Sequence, residues 1–235
     1  MALKYYFDLM SQPSRAVYIF LKMNNIPFVP KPVALRSGEH HTDEFKKLNP
    51  MSLVPVIDDD GFVLTESVAI LKYLALKYNV PDHWYPRDLK AQARVDEYMN
   101  YQHINTRYNC SMVFQQLVII PRAMRAPIQW PMVDNAKNRL ETVIAHLENY
   151  FLKDNKQKFL CGSDISVADL LGVCELMQLN ACCEENIYES NSAVKAWVDR
   201  VKERTAPHFD DANKIVQRVR GVYSKQKEAQ QNAKL

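Results

Sequence analysis

Leu53-Val54-Pro55-Val56-Ile57-Asp58-Asp59-Asp60-Gly61-Phe62-Val63-Leu64-Thr65-Glu66-Ser67 is the stretch on which the fold turns. Val54-Pro55-Val56-Ile57 and Phe62-Val63-Leu64 flank Asp58-Asp59-Asp60-Gly61, a turn signal that makes them an antiparallel hairpin. Glu66-Ser67 then opens a helix with Val68, Leu71, Leu74 and Ala75 on its inner face. Upstream, Pro27 to Leu35 reads as a strand that Pro30 and Pro32 demote to an edge. Ala16, Ile19, Phe20 and Met23 fall at i, i+3, i+4 and i+7, one apolar helical stripe facing a sheet. Leu3 to Leu9 is an apolar run rich in aromatics, suited to a buried strand. The order is βαβ, a loop, then ββα. Parallel and antiparallel strands in one small sheet predict an α/β layer domain.

Around Asn79 to Asp88 two prolines and several turn residues mark an interdomain linker. The predicted division is residues 1–79, a linker at 80–87 and an all-helical domain over 88–235. A long helix is expected from about Asp88 to Ile120, closed by Pro121. Val133, Ala136, Leu140, Val143, Ile144, Leu147 and Phe151 form a second stripe. Val194, Trp197, Val198 and Val201 mark a later helix, and Phe209 to Tyr223 a last one, after which a polar tail from Ser224 is expected to fray. Between them Ile165-Ser166-Val167-Ala168-Asp169-Leu170 combines a capping box with a hydrophobic staple, a structural signal.

The chain has 235 residues, 47% hydrophobic and 24% charged, as expected of a globular rather than a disordered protein. No apolar run approaches the ~18 residues a membrane span needs, and the strand-like start lacks the features of a secretory signal, so a cytoplasmic location is expected. Five cysteines, odd in number and all in the second half, fit a reducing compartment better than a disulfide framework. Cys182-Cys183 reads as two small buried hydrophobes before it reads as a redox pair. With no Cys-x-x-Cys and no His-x-x-x-His, no metal is expected. The net charge of +3 gathers near the C-terminus without interleaved aromatics, a solvated helix face rather than a nucleic-acid surface.

Four features of the first domain carry chemistry. Ser11-Gln12-Pro13-Ser14-Arg15 puts a hydroxyl just outside a helix N-terminus, where orphan N–H groups and the macrodipole favour an anion; taken alone it reads as a serine N-cap. Leu53-Val54-Pro55 places a proline where a cis peptide would turn the Val54 main chain outward toward a peptide-like ligand. Glu66-Ser67 either caps its helix or offers an acceptor beside a donor, which suits the head group of an α-amino acid. His40, with His41, lies in a polar loop after the second strand.

Together these features resemble a cytosolic glutathione transferase: a thioredoxin-like N-terminal domain followed by an all-α domain. Ser11-Gln12-Pro13-Ser14-Arg15-Ala16-Val17, Thr65-Glu66-Ser67-Val68-Ala69-Ile70-Leu71, Ala93-Arg94-Val95-Asp96-Glu97-Tyr98 and Gln102-His103 resemble the theta class in particular, with an insect member as the expectation. The resemblance covers nearly the whole chain. It implies that Ser11 hydrogen-bonds the glutathione sulfur and that His40 contacts the glycine end. It implies further that Val54, before cis-Pro55, pairs with the cysteinyl main chain, and that Glu66 and Ser67 take the γ-glutamyl head. Arg107 matches a basic residue facing the electrophile side, and the helix from about Pro207 to Tyr223 matches one that covers the active site. Position 53, commonly lysine in vertebrate members, is Leu53, so only a main-chain contact survives there and His40 or His41 supplies more of the glycine carboxylate's charge contact. The resemblance also implies a homodimer and a small apolar electrophile or an organic hydroperoxide as second substrate. The alternative is a non-catalytic binding or assembly module of the same fold. A cysteine-type thioltransferase would need a cysteine where Ser11 and Ser14 stand.

A thiol of pKa ~8.5 is only a few per cent ionised at pH 7. A hydrogen bond to its anion contributes ~1.5–3 kcal/mol and a helix N-terminus ~0.3–1 more, enough to lower that pKa by roughly one to two units without a general base. Tyr5 and Tyr6 compete with Ser11 for this role, but both fall inside the first strand.

Overall fold

The computed structural model describes residues 2–153 and 156–232. Strand β1 (Leu3–Phe7) leads into helix α1 (Gln12–Met23), edge strand β2 (Phe28–Pro32) and a short helix α2 (Asp43–Leu48). β3 (Val56–Asp59) and β4 (Phe62–Leu64) form the hairpin, and α3 (Ser67–Lys77) follows. The sheet order is β2-β1-β3-β4, with β1 parallel to β2 and antiparallel to β3. β2 is thus the edge its two prolines require. Ile57 pairs with Leu64 and Asp59 with Phe62, which leaves a two-residue loop at Asp60-Gly61. Both loop residues have positive φ, 54° and 90°, the combination that matches a tight hairpin to strand twist. The Gly61 N–H donates to Asp58 Oδ1 at 2.8 Å.

The helical half begins with α4 (Leu89–Gln102), continues without a break through a π-helical stretch, His103–Arg107, into α5 (Tyr108–Phe114), and ends in a second π stretch, Gln115–Met124. Pro121 therefore does not close this helix, contrary to the sequence expectation. It sits inside the second π stretch, whose wider register spares the clash with the preceding turn that a proline makes in an α-helix. The helix ends at Arg125, in left-handed conformation (φ 51°). α6 (Trp130–His146), with a π extension over Leu147–Phe151, buries the whole expected stripe from Val133 to Phe151. After α7 (Val167–Asn180) come a short α8 (Asn186–Glu189), α9 (Ser192–Thr205) and α10 (His208–Asn232). The polar segment from Ser224 continues α10 as far as Asn232 instead of fraying. Its Lys, Gln, Glu and Ala residues are good helix formers, and Arg122 donates to Gln226 at 2.6 Å.

Two packing facts fix the geometry. α1 shows more than the single stripe read from sequence: Pro13 to Val17 and Ile19 to Leu21 are buried, because α7 covers the face turned away from the sheet. α7 is buried along its entire length, and this holds its N-terminal carboxylate in the core. Asp169 accepts from the Ser166 N–H and Oγ, the Leu160 N–H and Trp197 Nε1, all at 2.8–2.9 Å. The capping signal at Ser166 thus also anchors α9 and the 160s loop.

Removing that acceptor leaves several buried donors unpaired, each costing about 1–3 kcal/mol. Asp169→Ala is expected to lower unfolding free energy by more than about 3 kcal/mol, read from urea titration. Gly61→Ala, forced into positive φ, is expected to cost about 1 kcal/mol in the same assay.

Candidate active site

A shallow, open cleft lies where α1, the loop entering β3, the start of α3 and the first π stretch converge. Pro13, Asn49, Leu53, Val54, Pro55, Thr65, Glu66, Ser67 and Arg107 line it. Six of the nine residues singled out from sequence are therefore brought together here: Leu53, Val54, Pro55, Glu66, Ser67 and Arg107.

Ser11 is not part of that lining but adjoins it through Pro13 and Val54, as the N-cap of α1 with β-region backbone (φ −77°, ψ 122°). Its Oγ accepts from the Ser14 N–H and donates to the Val54 carbonyl, both at 3.4 Å. Bonds that long are weak, so the hydroxyl is only loosely committed to the protein. No acidic side chain lies in the first turn of α1, so the positive end of the helix is not neutralised from within. Pro13, in that turn, lacks only a hydrogen that would have had no helical partner.

The Val54–Pro55 peptide is cis, as the sequence suggested. Val54 is buried and Leu53 is 56% exposed, so the two adjacent residues offer the cleft main chain and an apolar side chain respectively. Asn49 ties this loop down: its Nδ2 donates to the Leu53 carbonyl at 2.8 Å and its Oδ1 accepts from the Met51 N–H at 3.1 Å. Glu66 has φ 63° and ψ 111°, an uncommon conformation for a residue with a side chain, and leaves its carboxylate exposed. Ser67, the first residue of α3, is buried, and its Oγ has no hydrogen-bond partner among the described residues.

His40 and His41 occupy a short turn, Glu39–His41, outside this lining. Their rings lie 3.8 Å apart between centroids. His40 is half-buried and His41 exposed. Desolvation, then the neighbouring His41, lowers the pKa of His40 and favours its neutral form. Sequence reasoning missed Asn49 and Thr65. Asn49-Pro50 carries a turn signal, but nothing in it announces that the amide supports a cleft wall.

The tyrosines are separated by their surroundings. Tyr5 is fully buried, donates to the Ser14 carbonyl at 2.7 Å, and is pushed well above the ordinary phenol pKa by desolvation. Tyr6 packs on the other face of the sheet, with Val33, Phe45, Val54 and Val56. Neither is part of the cleft lining.

The π stretch presents Arg107 to the cleft, and behind it lies Glu175 of α7, its side chain 1% exposed and Oε1 4.0 Å from Arg107 Nε. Burial pushes the Glu175 carboxyl up to about 7, offset in part by Arg107 and Arg15. His103, half-buried on the same turn, is lowered by desolvation and then by Arg107.

A hairpin entered through a cis proline, a serine N-cap and a Glu-Ser helix start around one cleft, beside a helical bundle, agree with the comparisons to known proteins. Residues 1–76 match the model of the glutathione S-transferase N-terminal domain, and residues 132–206 that of the glutathione S-transferase C-terminal domain. The chain belongs to the glutathione S-transferase family. Within it the chain falls in the theta class. It is 44% identical to glutathione S-transferase theta-1 of Bos taurus over 92% of this chain and 89% of that one. It is equally 44% identical to theta-3 of Mus musculus, with the same coverage. Human glutathione-S-transferase T1-1 in its apo form superposes with a TM-score of 0.87 at 40% identity, covering 93% of this chain and 91% of that one. Human theta-2, solved with glutathione and an unknown ligand, superposes at 0.89 with 36% identity, covering 95% and 91%.

Tyr5→Phe removes a buried hydrogen bond, so it is expected to cost about 1 kcal/mol of stability while the Michaelis constant for glutathione stays within about twofold. Parallel urea titration and initial-rate kinetics check both halves.

Proposed function

We propose that the enzyme conjugates the thiolate of glutathione to small apolar electrophiles, with Ser11 holding the sulfur anion. The observation that carries this reading is the loosely bonded Ser11 hydroxyl at a helix N-terminus with no acidic side chain in its first turn, adjoining a cleft that gathers Val54, Pro55, Glu66 and Ser67. A related theta-2 structure holds glutathione, which supports the same ligand here.

In this reading the γ-glutamyl carboxylate meets the Ser67 hydroxyl and N–H at the start of α3, and its ammonium pairs with Glu66. The buried Ser67 Oγ gains a partner when that carboxylate arrives. The Val54 main chain aligns the cysteinyl unit. Leu53 contributes main chain and apolar surface but no charge, and His40 with His41 serves the glycine end. Ser11 then rotates its hydroxyl from the Val54 carbonyl to the sulfur. The gained hydrogen bond and the helix dipole favour thiolate over thiol by about 2–4 kcal/mol at most. The thiolate attacks the electrophilic carbon, a C–S bond forms, and the leaving group departs with the bonding pair. The thiol proton goes to water.

Residues 1–79 hold glutathione, 80–87 link, and 88–235 build the electrophile side, with Arg107 on its wall and α10 over it. Reduction of organic hydroperoxides by the same thiolate belongs to this proposal. A cytoplasmic homodimer does too: among the described residues no helix is long and apolar enough to cross a membrane, and Phe62, Val63 and Leu76 leave the β4–α3 side apolar and exposed.

Ser11→Ala is expected to lower kcat/KM for an alkyl halide or epoxide about 10–100-fold while calorimetric glutathione affinity changes little. Its pH–rate profile should shift to higher pH by about one unit or more, because the thiol loses what stabilises its anion. Equal activity in that variant, or a greater loss in Tyr6→Phe, would overturn the assignment. Leu53→Lys is expected to tighten glutathione by about two- to fivefold in low salt by adding a cation near the glycine carboxylate.

A further inference from the structure

Arg107 is 34% exposed at its side chain and reaches the cleft, whereas the carboxylate behind it is almost completely enclosed. Glu175 lies midway along α7, and neither of its oxygens has a hydrogen-bond partner among the described residues. Its 4.0 Å approach to Arg107 Nε is a charge contact and too long for a hydrogen bond. A buried carboxylate with no hydrogen bonds is costly to maintain, and a fold retains one most readily where its charge organises something else. The titratable and charged groups facing it are Arg15 of α1, Tyr98 of α4, Arg107 of the π stretch, Cys110 of α5 and its neighbour Cys174. The terminal nitrogens of Arg15 are committed elsewhere, donating to the carbonyls of Leu9, Met10 and Cys174 and to Gln178 Oε1, and its buried Nε makes no hydrogen bond to Glu175. Arg107 has no such set of bonds: among the described residues Glu175 is its ion-pair partner.

We propose that Glu175 is a positioning residue that acts through Arg107, holding the guanidinium against the cleft wall from its buried side and thereby setting how much positive charge the electrophile and its leaving group meet. This rests on the reading that Arg107 faces the electrophile. With Glu175 ionised, Arg107 is drawn inward and partly neutralised. With Glu175 protonated, the guanidinium is free to turn toward an anion in the cleft. The carboxyl's position near 7 lets both forms be populated close to neutrality. A neutral electrophile that expels a halide and an anionic one that expels sulfate should therefore respond differently.

The test pairs spectroscopy with kinetics on the full-length enzyme. His103 titrates beside Arg107, so the spectra are taken in a His103→Asn background. In ¹⁵N-arginine spectra, with the Arg107 Nε–H signal assigned by its loss in Arg107→Lys, the protein with Glu175 is expected to titrate near neutral pH and Glu175→Gln to be flat. The same titration in both proteins overturns the proposal. In steady-state assays Glu175→Gln is expected to change kcat/KM for the electrophile about tenfold, with the glutathione KM within about twofold. In an Arg107→Ala background the same substitution should add less than about twofold. Equal losses in both backgrounds would mean that Glu175 acts through the fold at large, which also overturns the proposal. If Arg107→Ala leaves electrophile kinetics unchanged, the reading of Arg107 fails, and the spectroscopic arm still decides whether Glu175 positions it. Should Glu175→Gln not fold, Glu175→Asp withdraws the carboxylate by one methylene. A displaced Arg107 signal then supports the pairing, and an unmoved one overturns it.

Discussion

A guanidinium sealed inside the protein governs the position of everything at the cleft. Arg15 is fully buried one turn into α1, and it spends its donors on the carbonyls of Leu9 and Met10 before the helix and on Cys174 and Gln178 of α7. Desolvation lowers its pKa, and Cys174 and the nearby Glu175 charge offset part of that cost. The loop that carries Ser11 and helix α7 are therefore bonded to one side chain. Tyr5 adds a second tie, donating from β1 to the Ser14 carbonyl. These ties fix the direction of α1 and so set its first turn beside the cleft.

Much of this was legible in the sequence, and the particular residues show why. Asp60-Gly61 demands positive φ at both positions, so the hairpin and its register followed from local chemistry. Pro30 and Pro32 made β2 an edge because they cannot donate to a neighbour. The stripe from Val133 to Phe151 and the Ser166 cap were equally local. Burial of α1 on both sides was not legible, because the covering surface comes from α7, some 160 residues later in the chain. The fate of Pro121 was hidden for another reason. Sequence rules assume α register, and the helix there is wound more loosely.

The site divided in the same way. Residues near a helix start or a proline announced themselves, since the helix-end donors of Ser11 and Ser67 and the exposed main chain at Val54 are consequences of local geometry. Asn49 and Glu175 did not, because their importance lies in what they touch across the fold. The histidine pair lies between these cases: its turn was placed as a polar loop after β2, and in the fold that turn stands apart from the cleft lining.

The helix from Leu89 to Met124 bears on how such a wall can diversify. Two stretches of it, His103–Arg107 and Gln115–Met124, hold more residues per turn than an ideal helix. Deleting one residue from such a stretch would restore ordinary winding there and leave the side chains downstream facing as they do now, because the extra residue is what the wider turn absorbs. The side chains that change are those of the wide turn itself, Arg107 among them. A residue lost or gained at such a turn thus alters one patch of the helix and spares the packing on either side.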